Sequence, residues 1–243
     1  MFRKQADDKT MKKLTRAKKR QIKRVLIIAG VASAVSLLVI LIFILVIRGI
    51  SPKFTEQAKE DELDYTLIKV GKPLISEKFL TKNVNSRPGT PLENITGVVV
   101  HYTANPGTDA KANRNYFESR KDCPDEGQYK VSSHFVIGLD GSIIQCIPEN
   151  EIAYASNKRN SDTISIECCH PDDSGRFTEK TYHSLVHLVS YLCDKYEIPI
   201  KQVIRHYDVT QKECPRYFVK HPESWRKFRE DITTYLKKKE SEE

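Results

Sequence analysis

The sequence predicts an α/β domain, a central mixed β-sheet flanked by helices, preceded by one N-terminal transmembrane helix. Three observations predict it. Short apolar runs of strand length alternate with segments of helical periodicity through the C-terminal part of the chain. Asp140-Gly141 stands between two such runs and marks a hairpin, so at least one strand pair is antiparallel. A single uncharged stretch near the N-terminus is long enough to cross a bilayer.

That stretch is Val25 to Ile47, 23 residues rich in Leu, Ile and Val. As a helix it reaches about 34 Å, against a hydrocarbon core of about 30 Å. A cleaved signal peptide is the rival, with Ala32-Ser33-Ala34 as its site, but such cores are typically only about 7–15 residues long. An uncleaved signal anchor is the expectation. Residues 1–24 hold eleven Lys or Arg against Asp7 and Asp8, and so carry more than the whole formal net charge of +8. From Gly49 onward the chain is slightly acidic. The basic tail therefore reads as cytoplasmic topology and anionic-lipid contact, with everything after Arg48 outside, and no nucleic-acid partner is expected.

Residues 48–77, charged and including Lys59-Glu60-Asp61-Glu62, read as a solvated stalk, and 78–238 as the folded domain. Gly97 to Val100 is continuously apolar, as in a strand buried on both faces, with His101 at its end. Asn113 to Arg120 reads as helix, anchored by Tyr116 and Phe117. Val131 to Ile137 and Ser142 to Ile147 form the hairpin, and further strands are expected at Thr163 to Cys169 and Gln202 to His206. Tyr182, Leu185, Val186, Val189 and Leu192 recur at helical spacing behind a capping Thr178. A last helix runs from Pro222 to about Lys237 and packs Trp225 and Phe228. Cys146, Cys168, Cys169 and Cys193 read as buried thiols.

His101, His206 and Cys214 fall where strands end. Singly each has a structural reading: a hydrogen-bonded histidine, or a packed cysteine. Two imidazoles and a thiolate nevertheless suit zinc, whereas magnesium and calcium want oxygen ligands. Glu167 is the second clue. In Thr163 to Glu167 the isoleucines alternate with polar residues, so Ser165 and Glu167 share the face away from Ile164 and Ile166. A carboxylate inside a strand is either satisfied by an ion pair, Arg205 being the candidate partner, or used as a general base.

Four segments together resemble the type-2 N-acetylmuramoyl-L-alanine amidases, phage-lysozyme-like enzymes related to peptidoglycan-recognition proteins. They are Val98-Val99-Val100-His101-Tyr102-Thr103, Ser132-Ser133-His134-Phe135-Val136-Ile137, Ile164-Ser165-Ile166-Glu167, and Arg205-His206-Tyr207-Asp208 with Lys212-Glu213-Cys214-Pro215. The resemblance covers about residues 78 to 235. It implies a zinc enzyme that hydrolyses the amide between N-acetylmuramic acid and L-alanine in bacterial peptidoglycan. It makes His101, His206 and Cys214 the Zn2+ ligands and Glu167 the catalytic carboxylate; Lys212 is either a stabiliser of the oxyanion or a plain surface lysine, His134 has an orienting or substrate-contact role, and Tyr102 is a substrate contact. Some relatives have a catalytic tyrosine where this chain has Ser133, which leaves proton transfer to Glu167. Several have a histidine where Ala155 stands here. The expected picture is a monomer, single-pass in a bacterial cell membrane, acting on peptidoglycan outside. A non-catalytic peptidoglycan receptor and a stem-peptide endopeptidase are the alternatives; the receptor reading expects the third ligand to be missing, and Cys214 is present.

Overall fold

A computed structural model describes residues 71–124 and 130–242, so the basic tail and the apolar run expected to cross the membrane lie outside the described residues. Among the described residues no helix is long and apolar enough to cross a membrane. Six strands form one sheet: β1 (Ile75–Glu77), β2 (Gly97–Tyr102), β3 (Phe135–Ile137), β4 (Ile143–Gln145), β5 (Thr163–Cys168) and β6 (Val203–Arg205). Their lateral order is β1-β4-β3-β5-β2-β6. The β3–β4 hairpin is antiparallel, and the other four pairings are parallel, which makes the sheet mixed as expected. β1 was not expected: it lies inside the stretch that composition assigned to the stalk, and it pairs with β4 at the sheet edge. Three residues with one apolar side chain carry too little periodicity to announce a strand.

The hairpin turns at Asp140-Gly141. The Asp140 carboxylate accepts from Ser142 N–H at 3.0 Å, and Gly141 has φ +81°. A Cβ at Gly141 would also stand 2.9 Å from the Lys180 carbonyl, so the turn needs glycine both for its backbone and for the approach of the next helix. Strand pairing in the hairpin covers three residues of each arm; Val131 to His134, expected to continue the strand, instead runs into side-chain hydrogen bonds.

Among the described residues five α-helices accompany the sheet, two between strands and three after β6: α1 (Ala110–Ser119), α2 (Glu179–Lys195), α3 (His206–Thr210), α4 (Arg216–Lys220) and α5 (Pro222–Glu242). Thr178 caps α2 as predicted, accepting from Thr181 N–H at 3.0 Å, while its hydroxyl donates to the Leu139 carbonyl at 2.8 Å and ties the helix to the hairpin. α1 begins three residues before the expected start because Asp109 caps it, accepting from Ala112 N–H at 2.6 Å. Phe117 is buried there, whereas Tyr116, the other expected anchor, is exposed with the Arg120 guanidinium 4.6 Å from its ring centroid.

Alternation along the central strands divides the core. Val98, Val100, Tyr102, Ile164, Ile166, Phe135 and Ile137 face Leu185, Val189 and Leu192 of α2 and Phe228 and Ile232 of α5. The opposite face places Val136, Ile144 and Cys146 against Ala110 and Phe117 of α1. Cys168 and Cys193 join the first core and Cys146 and Cys169 the second, all four buried as expected. Beyond α1, this second face ends in polar side chains, and these make the site.

His134 holds β3, β5 and the following loop together. Ser165 N–H donates to His134 Nδ1 at 3.0 Å, which leaves the proton on Nε2 to donate to the Glu151 carbonyl at 2.8 Å. Burial pushes the imidazole down to about 4. Its pKa is therefore below that of an unfolded histidine, about 6.5, so its stabilisation is complete above that pH and is lost as pH falls from about 6.5 through 4. Urea unfolding of wild type should lose stability on the order of 3 kcal/mol across that window through this residue. In His134→Gln the chain should be less stable at neutral pH by about 1–3 kcal/mol, with a shallower pH slope between 6.5 and 4. An unchanged slope would count against this role.

Candidate metal centre

β2 stays apolar up to His101, and its parallel register sets His101 beside Glu167 of β5, so both side chains leave the sheet on the same face. β6 then delivers His206 as the first residue of α3. The chain is turned there by Asp208, whose carboxylate accepts from Arg205 N–H at 2.9 Å and pairs with the Arg205 guanidinium at 2.7 Å. Arg205 is thus spent on Asp208 and does not neutralise Glu167, contrary to the ion pair considered from sequence. After α3, Gln211 adopts a left-handed backbone, and Tyr207 N–H donates to the Cys214 carbonyl at 2.8 Å, closing the loop and returning Cys214 to the two histidines.

The ligand atoms of His101, His206 and Cys214 all lie within 4.8 Å of one another, and all three residues are buried. Cys214 Sγ is 3.8 Å from His101 Nδ1, and the two imidazole rings are 4.6 Å apart between centroids. The far nitrogen of each ring is engaged: His101 Nε2 with Ser156 Oγ at 3.1 Å, His206 Nε2 with Asn157 Oδ1 at 3.0 Å. Nδ1 of each ring is left for a metal.

The electrostatics favour a cation between them. Burial, then the neighbouring His206 and Lys212, hold His101 well below its ordinary range; burial and Lys212 lower His206 as well. Both imidazoles are therefore neutral with lone pairs available. The Cys214 thiol is pushed up to about 12, first by burial and then by the Glu167 charge. A thiol so placed becomes a thiolate only when a positive charge joins it. Glu167 Oε1 lies 4.0 Å from His101 Nδ1, while its buried Oε2 has no hydrogen-bond partner. Burial raises its carboxyl to about 8, with Lys212 pulling the other way. Lys212 itself is exposed beside the site.

The two expected substrate contacts are placed elsewhere. His134 is about 1% exposed with both ring nitrogens engaged, so it has no donor or acceptor to offer a substrate. Tyr102, next to His101 in an extended strand, necessarily points to the other face, where its ring packs in the core and meets His170 at 5.0 Å. Ser133, which stands where some relatives have tyrosine, is buried and donates to the Ser165 carbonyl at 2.9 Å. Sequence reasoning missed Ser156 and Asn157. Neither shows any periodicity; the available signal was the neighbouring Ala155, where several members of the resembled family have a histidine.

The family model for N-acetylmuramoyl-L-alanine amidase matches residues 91–217, a little over half of the chain. The N-acetylmuramoyl-L-alanine amidase CwlL of Bacillus licheniformis is 32% identical over 174 residues, covering 67% of this chain and 47% of the relative. BlyA of Bacillus subtilis is 29% identical over 180 residues, covering 65% and 47%. The chain spans about half the length of these relatives. Among solved structures, the catalytic domain of XlyA superposes with a TM-score of 0.54 at 27% identity, over 66% of this chain and 99% of that one. A mutant endolysin from Bacillus subtilis superposes with 0.55 at 27% identity over the same shares. The matched residues include β2 to β6, all three members of the metal group and Glu167, and the chain belongs to the type-2 N-acetylmuramoyl-L-alanine amidase family.

Proposed function

We propose that the chain is a zinc-dependent N-acetylmuramoyl-L-alanine amidase that hydrolyses the amide between N-acetylmuramic acid and L-alanine in bacterial peptidoglycan. One observation carries the reading: two neutral imidazoles and a thiol converge within 4.8 Å, with an unpaired carboxylate oxygen beside them, in a member of this family. The donor set is what zinc takes in catalytic sites, three protein ligands with a fourth position open. His101, His206 and Cys214 would hold the ion. When bound, zinc supplies Lewis acidity, polarising a carbonyl and acidifying water.

Glu167 does the proton work. Its Oε1 takes a proton from the water that attacks the lactyl carbonyl carbon, then delivers it to the L-alanine nitrogen as the C–N bond breaks. The products are a carboxylate on the sugar's lactyl arm and a free peptide amine. A carboxyl raised by burial suits both halves of this cycle, since it is basic enough to accept and acidic enough to return the proton. Lys212 places its charge where the carbonyl oxygen becomes negative. The basic tail and the apolar run Val25 to Ile47 support a single-pass anchor in the cytoplasmic membrane, with the domain outside and facing peptidoglycan; this support comes from composition and length.

Mass spectrometry of muropeptides released from purified sacculi tests the reaction: products should carry intact stem peptides with free L-alanine amines. Cleavage within the stem would instead make the chain an endopeptidase. Cys214→Ser should lose zinc and turnover, because a hydroxyl is a far poorer ligand than a thiolate, while Cys193→Ser, in the core behind the sheet, should keep both. Zinc analysis and turnover of the two variants side by side check the assignment.

Glu167→Gln should retain fold, zinc and peptidoglycan affinity and lose roughly 10²–10⁴-fold in single-turnover cleavage, the usual worth of a positioned proton-transfer group. Near-normal cleavage by the zinc-loaded variant would remove Glu167 from the mechanism. For location, protease added to intact, wall-stripped cells should remove the domain. Its protection, or its release with a new N-terminus near Val35, would exclude the anchor.

A further inference from the structure

We infer that Ser156 and Asn157, adjacent on one loop, are positioning residues that orient both metal-binding imidazoles at once. The inference rests on the zinc reading above and adds two residues to it. His101 lies on β2 and His206 opens α3, 105 positions apart in the chain. Their far nitrogens nevertheless end on neighbouring side chains, His101 Nε2 on Ser156 Oγ at 3.1 Å and His206 Nε2 on Asn157 Oδ1 at 3.0 Å. With Nδ1 of each ring turned to the metal, Nε2 carries the proton and each of these contacts is an N–H donating to oxygen. Such a bond selects the tautomer, sets the plane of the ring and makes the ligating nitrogen more basic.

The loop is built to keep those two oxygens still. The Asn160 Oδ1 accepts from both Ala155 N–H and Ser156 N–H, at 3.1 and 2.6 Å. Arg159 N–H donates to the Ser156 carbonyl at 3.0 Å and Asn160 N–H to the Asn157 carbonyl at 3.1 Å. Asn157 sits at φ 53°, a left-handed backbone that asparagine tolerates and that turns its side chain toward His206. At the far end, Thr163 Oγ1 donates to the Arg159 carbonyl at 2.5 Å, fastening the loop to the start of β5. Ser156 is about 1% exposed, so no solvent competes for its oxygen. Two hydroxyl or amide oxygens on a braced turn therefore do for this site what a carboxylate or carbonyl behind each histidine does in other metal centres.

The experiment uses the full-length chain and reads zinc affinity by competition with a chromophoric chelator, the visible spectrum of the cobalt(II)-substituted protein, and the melting temperature of the metal-free protein. Asn157→Gly keeps the left-handed backbone and removes only the acceptor; Ser156→Ala removes the hydroxyl; Asn157→Asp preserves an acceptor. The two deletions should each weaken zinc binding about 10–100-fold and alter the cobalt(II) ligand-field bands, with the metal-free melting temperature little changed, and Asn157→Asp should bind as tightly as wild type or tighter. If wild type binds zinc and the deletion variants match it in affinity and spectrum, the positioning role is overturned while the zinc reading stands. A fall in metal-free stability at unchanged zinc affinity also overturns it, making the loop merely structural. Failure of wild type itself to bind zinc removes both.

Discussion

The parallel pairing of β2 with β5 is the constraint on which the rest of this structure depends. Six residues pair in register, from Gly97 with Thr163 to Tyr102 with Cys168, and every residue of β2 is buried. Because side chains alternate, this register sends Val98, Val100, Ile164 and Ile166 to the helices on one face and brings His101 and Glu167 out together on the other. A slip of one residue on either strand would drive a carboxylate into the core against Leu185 and Val189, an error far costlier than the loss of one ladder bond. The hydrophobic core therefore aligns the site.

Among the described residues, Glu167 differs from the other sheltered acids. Glu151 is met by Arg87 at 2.8 Å and, chiefly through that hydrogen bond, lies below its ordinary range. Glu118 accepts from Thr81 and Lys121; burial alone would raise it, yet those hydrogen bonds bring it down to about 2. Asp231 accepts from the Tyr182 hydroxyl at 2.6 Å and from Lys227 at 2.9 Å. Glu167 has instead one oxygen without a hydrogen-bond partner and a carboxyl raised by burial. The surrounding polar groups are committed elsewhere: Arg205 to Asp208, and Ser165 to His134. Such an arrangement costs stability, and it matches the use proposed for Glu167.

His101, Glu167, His206 and Cys214 were legible as residues of interest because His101 and His206 close apolar strands, Glu167 is a carboxylate inside one, and Cys214 adds a soft ligand to the two imidazoles. Family resemblance then assigned them roles. Motif position alone does not say which face Tyr102 and His134 serve. Both occupy motif positions, but alternation turns Tyr102 into the core, and two hydrogen bonds engage both ring nitrogens of His134. The partner of Arg205 was equally undetermined, since Asp208 and Glu167 are both acidic and both near in sequence or register; the helix turn at α3 decides it.

What the sequence determined by itself is local. Period-two alternation, the period of the α2 apolar face, Asp140-Gly141 and Thr178 are each read within a few residues, since strand pleat, helical repeat, turn and cap depend only on neighbours. The apolar run Val25 to Ile47 and the basic tail belong to the same class. The tertiary structure alone decided the lateral strand order, the recruitment of Ile75–Glu77 as an edge strand, and the convergence of Ser156 and Asn157 on two histidines far apart in the chain. Those outcomes depend on chain segments scores of residues apart arriving at one place, and no local pattern encodes which loop will stand behind which ring.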